Sequence, residues 1–362
     1  FAYMKDGKSY IINKGDALEI NHVLDGKSLG TYISSEQWIA LAGDNSAGIE
    51  SYQFSEDESK VLIVTGSEQI FRHSSKGKTF VFDKKKGSGV VVFDGKPVSN
   101  PTFSPDGMKV GFTCENNLYY MDLTTNTSTQ VTNDGKWNFI INGMCDWVYE
   151  EEFSFTRAYE WSSDSRKIGF LRFDESKVPE YSMEYYRDEM YPIPFSFKYP
   201  KVGEDNSTLE VKIYNLDTRN TVTIDQIPDK EIYYPRIKWT RDPNKLCVFK
   251  MNRHQNNLEL LLADASSGKT TILMKEDNKY YIEINDYLTF LKDGKHFIWV
   301  TDKGGFYQAF LHDMNGNRIN AITQANYDLS NIYGYDENTK TLYYQLIAPT
   351  PMQCEVYKVG LD

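Results

Sequence analysis

The sequence predicts an all-β chain, a β-propeller of four-stranded blades, and three observations carry that expectation. One phrase recurs along the 362 residues: an aromatic, a Ser or Thr, a turn containing Asp, then Lys and an apolar strand. Its six anchors, Phe54, Phe103, Trp161, Trp239, Phe290 and Tyr335, are spaced by 49, 58, 78, 51 and 45 residues, and the shortest spacings match one four-stranded blade. Aromatic residues make up 14% of the chain, with 26 Tyr and 20 Phe, a composition that suits half-buried pleated surfaces. A β-sandwich would alternate similarly but would not reuse one anchor at near-constant spacing.

Taken in order, the stretch from Tyr10 to about Ala47 reads as an early, degenerate unit. The phrases Phe54-Ser55-Glu56-Asp57, Phe103-Ser104-Pro105-Asp106 and Trp161-Ser162-Ser163-Asp164 then each end a strand in a tight turn. Asp caps such a turn through its own side chain, and Gly supplies positive φ where it occurs. Trp239, Phe290 and, more weakly, Tyr335 open three further units, so the chain holds about seven blades. Strands such as Val61–Val64 and Asn117–Leu123 follow the anchors and run into polar turns such as Thr124-Thr125-Asn126 and Ala265-Ser266-Ser267-Gly268.

Two departures from the repeat draw attention, because loops inserted in a rigid scaffold carry function. In the run Ile141–Phe153, Asp146 is placed to cap a short helix near 146–153 whose turns hold Glu150, Glu151 and Glu152. A solvated acidic turn is the plainer reading of three adjacent acids; the flanking Trp147, Val148, Tyr149 and Phe153 argue for a pinned backbone and aimed side chains. The second departure, near 172–200, has four prolines and eight aromatics within residues 173–200, which suits an extended arm rather than a blade.

Recognisable covalent chemistry is missing. Gly26-Lys27-Ser28-Leu29-Gly30 matches G-x-S-x-G, but it follows Asp25 and leads into a strand, so Ser28 belongs to a hairpin turn and not to a nucleophile elbow. None of His22, His73, His254, His296 and His312 lies in a motif coupled to a nucleophile, and no P-loop, Rossmann or H-E-x-x-H pattern occurs. Cys114, Cys145, Cys247 and Cys354 lack metal-ligand spacing and read as buried thiols, with one disulfide left open. No catalytic residue, cofactor or metal is therefore expected in this chain. A net charge of -11 disfavours nucleic acid and suits a cationic ligand.

At Asp146-Trp147-Val148-Tyr149-Glu150-Glu151-Glu152 the chain resembles the dipeptidyl peptidase IV family of serine exopeptidases. Phe71-Arg72-His73-Ser74, Val178-Pro179-Glu180-Tyr181 and Tyr199-Pro200-Lys201-Val202-Gly203 extend the resemblance over nearly the whole chain. It implies an eight-bladed propeller followed by an α/β-hydrolase domain with the Ser, Asp and His. Against that pattern the chain begins without Met, lacks the catalytic domain, and at Asp362 stops one blade short, which leads us to expect an inactive piece of a longer enzyme with exposed strand edges.

The same resemblance implies that Glu151 and Glu152 hold a peptide's free amino terminus, and that Arg72 supports them and contacts a substrate carbonyl. It further implies an arm that makes a homodimer, a partner catalytic domain, and a periplasmic or extracellular location. The expected function is the propeller of a serine-type dipeptidyl or tripeptidyl aminopeptidase; the alternative is a non-catalytic propeller that binds a protein or peptide. A true G-x-S-x-G elbow downstream would separate the two.

Overall fold

The computed structural model describes residues 2–44, 47–186 and 189–361. The chain forms two compact units, Phe1–Thr221 and Val222–Asp362. Seven sheets follow one another in sequence as the blades of a propeller arrangement. Each of the six anchors ends or lies near the end of the first strand of its blade: Ser51–Phe54, Ser99–Phe103, Tyr159–Trp161, Ile232–Trp239, Thr289–Phe290 and Leu329–Asp336. Blade 1, the degenerate unit, starts earlier than its sequence reading, with strands from Ala2–Tyr3 to Ser28–Ile33. Its segment beyond Ser34 is a helix, α1 (Ser35–Ala42), closed by a Ser34/Gln37 capping box and by Gly43 at φ 71°.

The repeated phrase has one physical form. In blades 2, 3 and 4 the anchor's Ser hydroxyl donates to the turn Asp (Ser55 to Asp57 at 2.7 Å, Ser104 to Asp106 at 2.5 Å, Ser162 to Asp164 at 2.6 Å). The same oxygen accepts from the backbone N–H of the Lys that opens the next strand, at 3.0, 3.0 and 2.9 Å. The serines are buried and the turn satisfies them, so an apolar residue in their place would leave that N–H unpaired.

Blade strands are covered on both faces, which explains their continuous apolar runs. Val61 and Ile63 pack with Ile11, Leu18 and Trp38, whereas the intervening Leu62 packs with Val110 and Phe112 of blade 3. Period-2 geometry sends alternate side chains into different inter-blade layers, and each large apolar side chain so buried contributes about 1.5–3 kcal/mol. In the second unit Ile298, Val300, Leu342 and Leu346 form the corresponding layer of blades 6 and 7. Blade 7 has three strands, ending with Glu355–Gly360.

Close blade spacing also makes some turn glycines indispensable. Gly316 has φ 85°, and a Cβ there would lie 1.9 Å from the Leu273 carbonyl oxygen. Gly316→Ala is expected to lower stability by about 3 kcal/mol. Gly294→Ala, at φ 65° with open space around it, should cost only about 1 kcal/mol. Denaturant midpoints of the two variants check the difference.

Blade 4 is the irregular one. Its first strand is interrupted: Ile140–Asn142 and Tyr159–Trp161 both pair antiparallel with Lys167–Asp174, and residues 143–158 leave the sheet between them. Gly143, at φ 73°, turns the chain out, and its N–H donates to Leu171 O at 3.0 Å. The Ala158 N–H closes the excursion on Gly143 O at 3.0 Å.

The expected arm is a two-stranded antiparallel hairpin, Glu180–Tyr185 with Ile193–Lys198. The preceding blade strand continues to Asp174, so the arm starts later than 172. Pro194 is accommodated opposite Glu184 because both strands of an isolated ribbon have an open edge.

The G-x-S-x-G reading holds: Ser28 opens a strand opposite Asn21, after a turn in which the His22 N–H donates to Lys27 O. The buried-thiol reading needs correction. All four cysteines are free, Cys145 and Cys247 are buried, Cys114 is half-buried, and Cys354 is exposed. Cys354 lies in the loop before the last strand, where no neighbouring layer covers it.

Candidate functional site

The excursion from blade 4 carries α2 (Trp147–Phe153). Asp146 caps it, accepting from the Tyr149 N–H at 2.9 Å and from the Ser207 hydroxyl at 2.5 Å. Tyr149 and Phe153 anchor the helix from below, with Tyr149 packed edge-on against Phe173 at 5.0 Å. Pinned this way, α2 directs its three acids differently, because neighbours on a helix lie about 100° apart.

Glu150 points inward and is 1% exposed. Its Oε1 accepts from the backbone N–H groups of His73 (2.5 Å) and Ser74 (3.0 Å). Those two amides belong to the turn after blade 2's long strand, which also ties itself together through Ile70 N–H to Ser74 O (2.8 Å) and Gln69 Nε2 to Arg72 O (2.8 Å). Arg72 sits at the crest of this turn, and its Nε meets Glu151 Oε1 at 3.1 Å. The Arg72 side chain is 72% exposed and that of Glu151 18%, so the pair adds little stability, about 0–1 kcal/mol. Glu152 is exposed on the next position of the helix.

Arg72 and Glu151 border a cleft of about 1050 Å3. One part of its wall is aromatic, with Phe71, Trp137 and Trp147 beside Phe195 and Phe197 of the arm, and another part is polar, with Glu68, Lys76, Lys96 and Asn116. Sequence reasoning thus placed Arg72 with Glu151, 79 residues apart in the chain. It also placed Glu152 there, which the structure leaves exposed and outside the cleft lining, and it missed Glu150 as the residue that ties the Arg72 turn to α2. The visible signal was the third acid of the run; which acid faces inward depends on the helix rotation, set by Asp146 and Tyr149.

A buried acidic pair lies beneath the site. Glu175, 5% exposed at the root of the arm, has its carboxyl pushed up to about 8 by burial and then by the neighbouring Asp146. Burial also raises the Asp146 carboxyl. Lys198 of the arm, whose Nζ donates to Val178 O at 2.8 Å, partly offsets the shift.

Comparison with known proteins agrees with this construction. The family model for the dipeptidyl peptidase IV (DPP IV) N-terminal region matches residues 55–362. The crystal structure of Porphyromonas gingivalis dipeptidyl peptidase 4 superposes with a TM-score of 0.90 at 34% identity, covering 98% of this chain and 50% of that one. Dipeptidyl aminopeptidase B of Saccharomyces cerevisiae is 27% identical over 97% of this chain and 44% of its own length. Mouse inactive dipeptidyl peptidase 10 is 25% identical over 86% of this chain and 41% of its own length. The chain therefore spans about half the length of the relatives it matches. With the repeated anchors, the blade-4 excursion and the Arg72/Glu151 cleft, these matches establish that the chain belongs to the dipeptidyl peptidase IV N-terminal region family.

Proposed function

We propose that this chain is the propeller portion of a serine-type dipeptidyl or tripeptidyl aminopeptidase, in which Glu151 and Glu152 hold the free amino terminus of a peptide and Arg72 contacts a backbone carbonyl. The observation that carries the reading is the 3.1 Å pair of Arg72 with Glu151 at the edge of a large cleft. An ammonium group has three donors and no acceptor, so carboxylates on a pinned helix suit it, while the guanidinium limits repulsion between them. The pair would act as a ruler, rejecting peptides whose amino terminus is blocked or too distant. Bond cleavage would belong to a separate catalytic domain.

Glu151→Gln and Glu152→Gln in the full-length enzyme test the reading. Each should lower kcat/KM for free-amine dipeptide substrates roughly 10- to 100-fold, since each removes a charge-assisted hydrogen bond of about 1.5–3 kcal/mol. Unchanged kcat/KM in both variants would refute the assignment.

This reading includes a homodimer formed through the arm and a periplasmic or extracellular location. For the dimer, support comes from the exposed Tyr186, Met190 and Tyr191 near the arm tip. A second reading, a non-catalytic propeller that binds a peptide or protein partner, is favoured by the similarity to the inactive mouse relative. Hydrolysis of a chromogenic dipeptide by the full-length protein separates the two.

A further inference from the structure

We infer that a cleft between blades 5 and 6 is a binding site of its own, which holds a short zwitterionic peptide by its two charged ends. It lies within the unit Val222–Asp362, and its lining includes no residue of α2, of the Arg72 turn or of the arm. The inference does not depend on the amine-anchoring reading above.

The cleft has a volume of about 850 Å3, within the range of sites that enclose small-molecule ligands. One side is the outer strand of blade 5, Thr270–Asp277, which contributes Met274 and Glu276. The other is the facing side of blade 6, with Trp299, Phe310 and His312. The two blades close on each other at Gly316, where a Cβ would lie 1.9 Å from the Leu273 carbonyl oxygen, so the walls have a fixed spacing.

Three polar groups in this lining keep capacity for a ligand. Glu276, 7% exposed, accepts from Trp299 Nε1 at 2.7 Å and from the Thr301 hydroxyl at 2.5 Å. A carboxylate has about four acceptor sites, so the two bonds fix its position and leave it able to accept more. Arg318 stacks over the Phe310 ring at 3.8 Å, and no described carboxylate pairs with it. His312, 7% exposed, is the cross-strand partner of Arg318, and its Nδ1 is buried with no hydrogen-bond partner among the described residues. Such an atom is costly to bury unless something bonds to it. The lysines of the lining are already matched: Lys275 meets Glu259 at 2.6 Å and Lys303 meets Asp277 at 3.8 Å.

The placement of the three groups defines the ligand. Glu276 is held on Trp299 and Arg318 on Phe310, and these two rings belong to paired residues of adjacent strands. The acid and the guanidinium thus stand over neighbouring strands, and they make no ion pair with each other. A molecule that satisfies both needs an ammonium end, a carboxylate end and an apolar middle. A dipeptide reaches roughly 7 Å from end to end, and its central peptide unit offers both a donor and an acceptor, so it suits His312 in either tautomer. A single amino acid would leave His312 and most of the cleft to water.

The test is calorimetric titration of the full-length protein with the dipeptide Ala-Leu, its amino-acetylated form and its carboxyl-amidated form. Arg72→Ala and Glu151→Gln are present throughout, so that the α2 cleft does not contribute. Ala-Leu should bind with a Kd below about 1 mM, and blocking either end should weaken it roughly tenfold or more, the loss of one charge-assisted hydrogen bond. Added Arg318→Ala should weaken Ala-Leu by the same factor yet leave the amidated form as it was, because the carboxylate's partner is already gone. Added Glu276→Gln should show the matching pattern with the acetylated form. No saturable binding up to about 10 mM would overturn the inference. So would amidation costing as much in Arg318→Ala as without it, since the carboxylate would then have some other partner.

Discussion

Replacing Glu150 with alanine should release the Arg72 turn from α2 and raise hydrogen exchange at His73 and Ser74 roughly 100-fold. The buried carboxylate accepts from both of these amides, at 2.5 and 3.0 Å, and Ser74 is itself buried. Alanine provides no acceptor, so the two N–H groups lose about 3 kcal/mol of charge-assisted hydrogen bonding. A hundredfold change in exchange corresponds to about 2.7 kcal/mol.

Glu150→Gln keeps one acceptor oxygen and should fall between the two. Exchange at His73 and Ser74 that is the same in Glu150→Ala as in the parent would mean that the turn is held by its own bonds, Ile70 N–H to Ser74 O and Phe71 N–H to Ser74 Oγ. In the full-length enzyme, Glu150→Ala and Arg72→Ala should be markedly non-additive, because Glu150 acts on substrate only through the place it gives Arg72.

The second large effect concerns pH. Glu175 titrates near 8 in the folded protein against an ordinary value of 4.5. Between these values the native state holds a proton that the unfolded chain has lost, so stability falls as pH rises from about 4.5 through about 8. The shift amounts to a few kcal/mol once pH exceeds 8.

Glu175→Gln removes the ionisation and should be more stable than the parent at pH 9, with the gap closing toward pH 4.5. The groups that face Glu175 are Asp146, Asp174 and Lys198, and of these Lys198 alone opposes the rise. Unfolding midpoints of parent and variant at pH 5, 7 and 9 provide the check, and parallel profiles would contradict the assignment. Because Asp146 caps α2 and Glu175 sits at the arm root, the alkaline loss should appear first as faster exchange in α2 and the arm.

The fold was legible because its signals are local. An anchor such as Trp161-Ser162-Ser163-Asp164 makes its own turn, with hydroxyl, carboxylate and amide all within six residues, so the phrase reports a strand end wherever it stands. The helix at 147–153 was legible for the same reason, since Asp146 and the Tyr149 N–H are three residues apart. Blade 1 was harder to delimit because it lacks the anchor, and its α1 helix depends on burying Trp38 against Phe80 of the next blade.

The repeat, the turns, the departure in blade 4 and the pairing of Arg72 with Glu151 were readable from the residue pattern. How those residues are used follows from packing between distant segments. Glu150, Glu151 and Glu152 are chemically identical neighbours, and their separation into a buried tether, a cleft carboxylate and an exposed acid follows from the angle at which Asp146, Tyr149 and Phe153 hold α2. Likewise the prolines and aromatics of the arm announced an irregular segment. Its aromatic wall against Phe71 and Trp137 arises from contacts across more than 50 residues, where packing and not local propensity selects the partner.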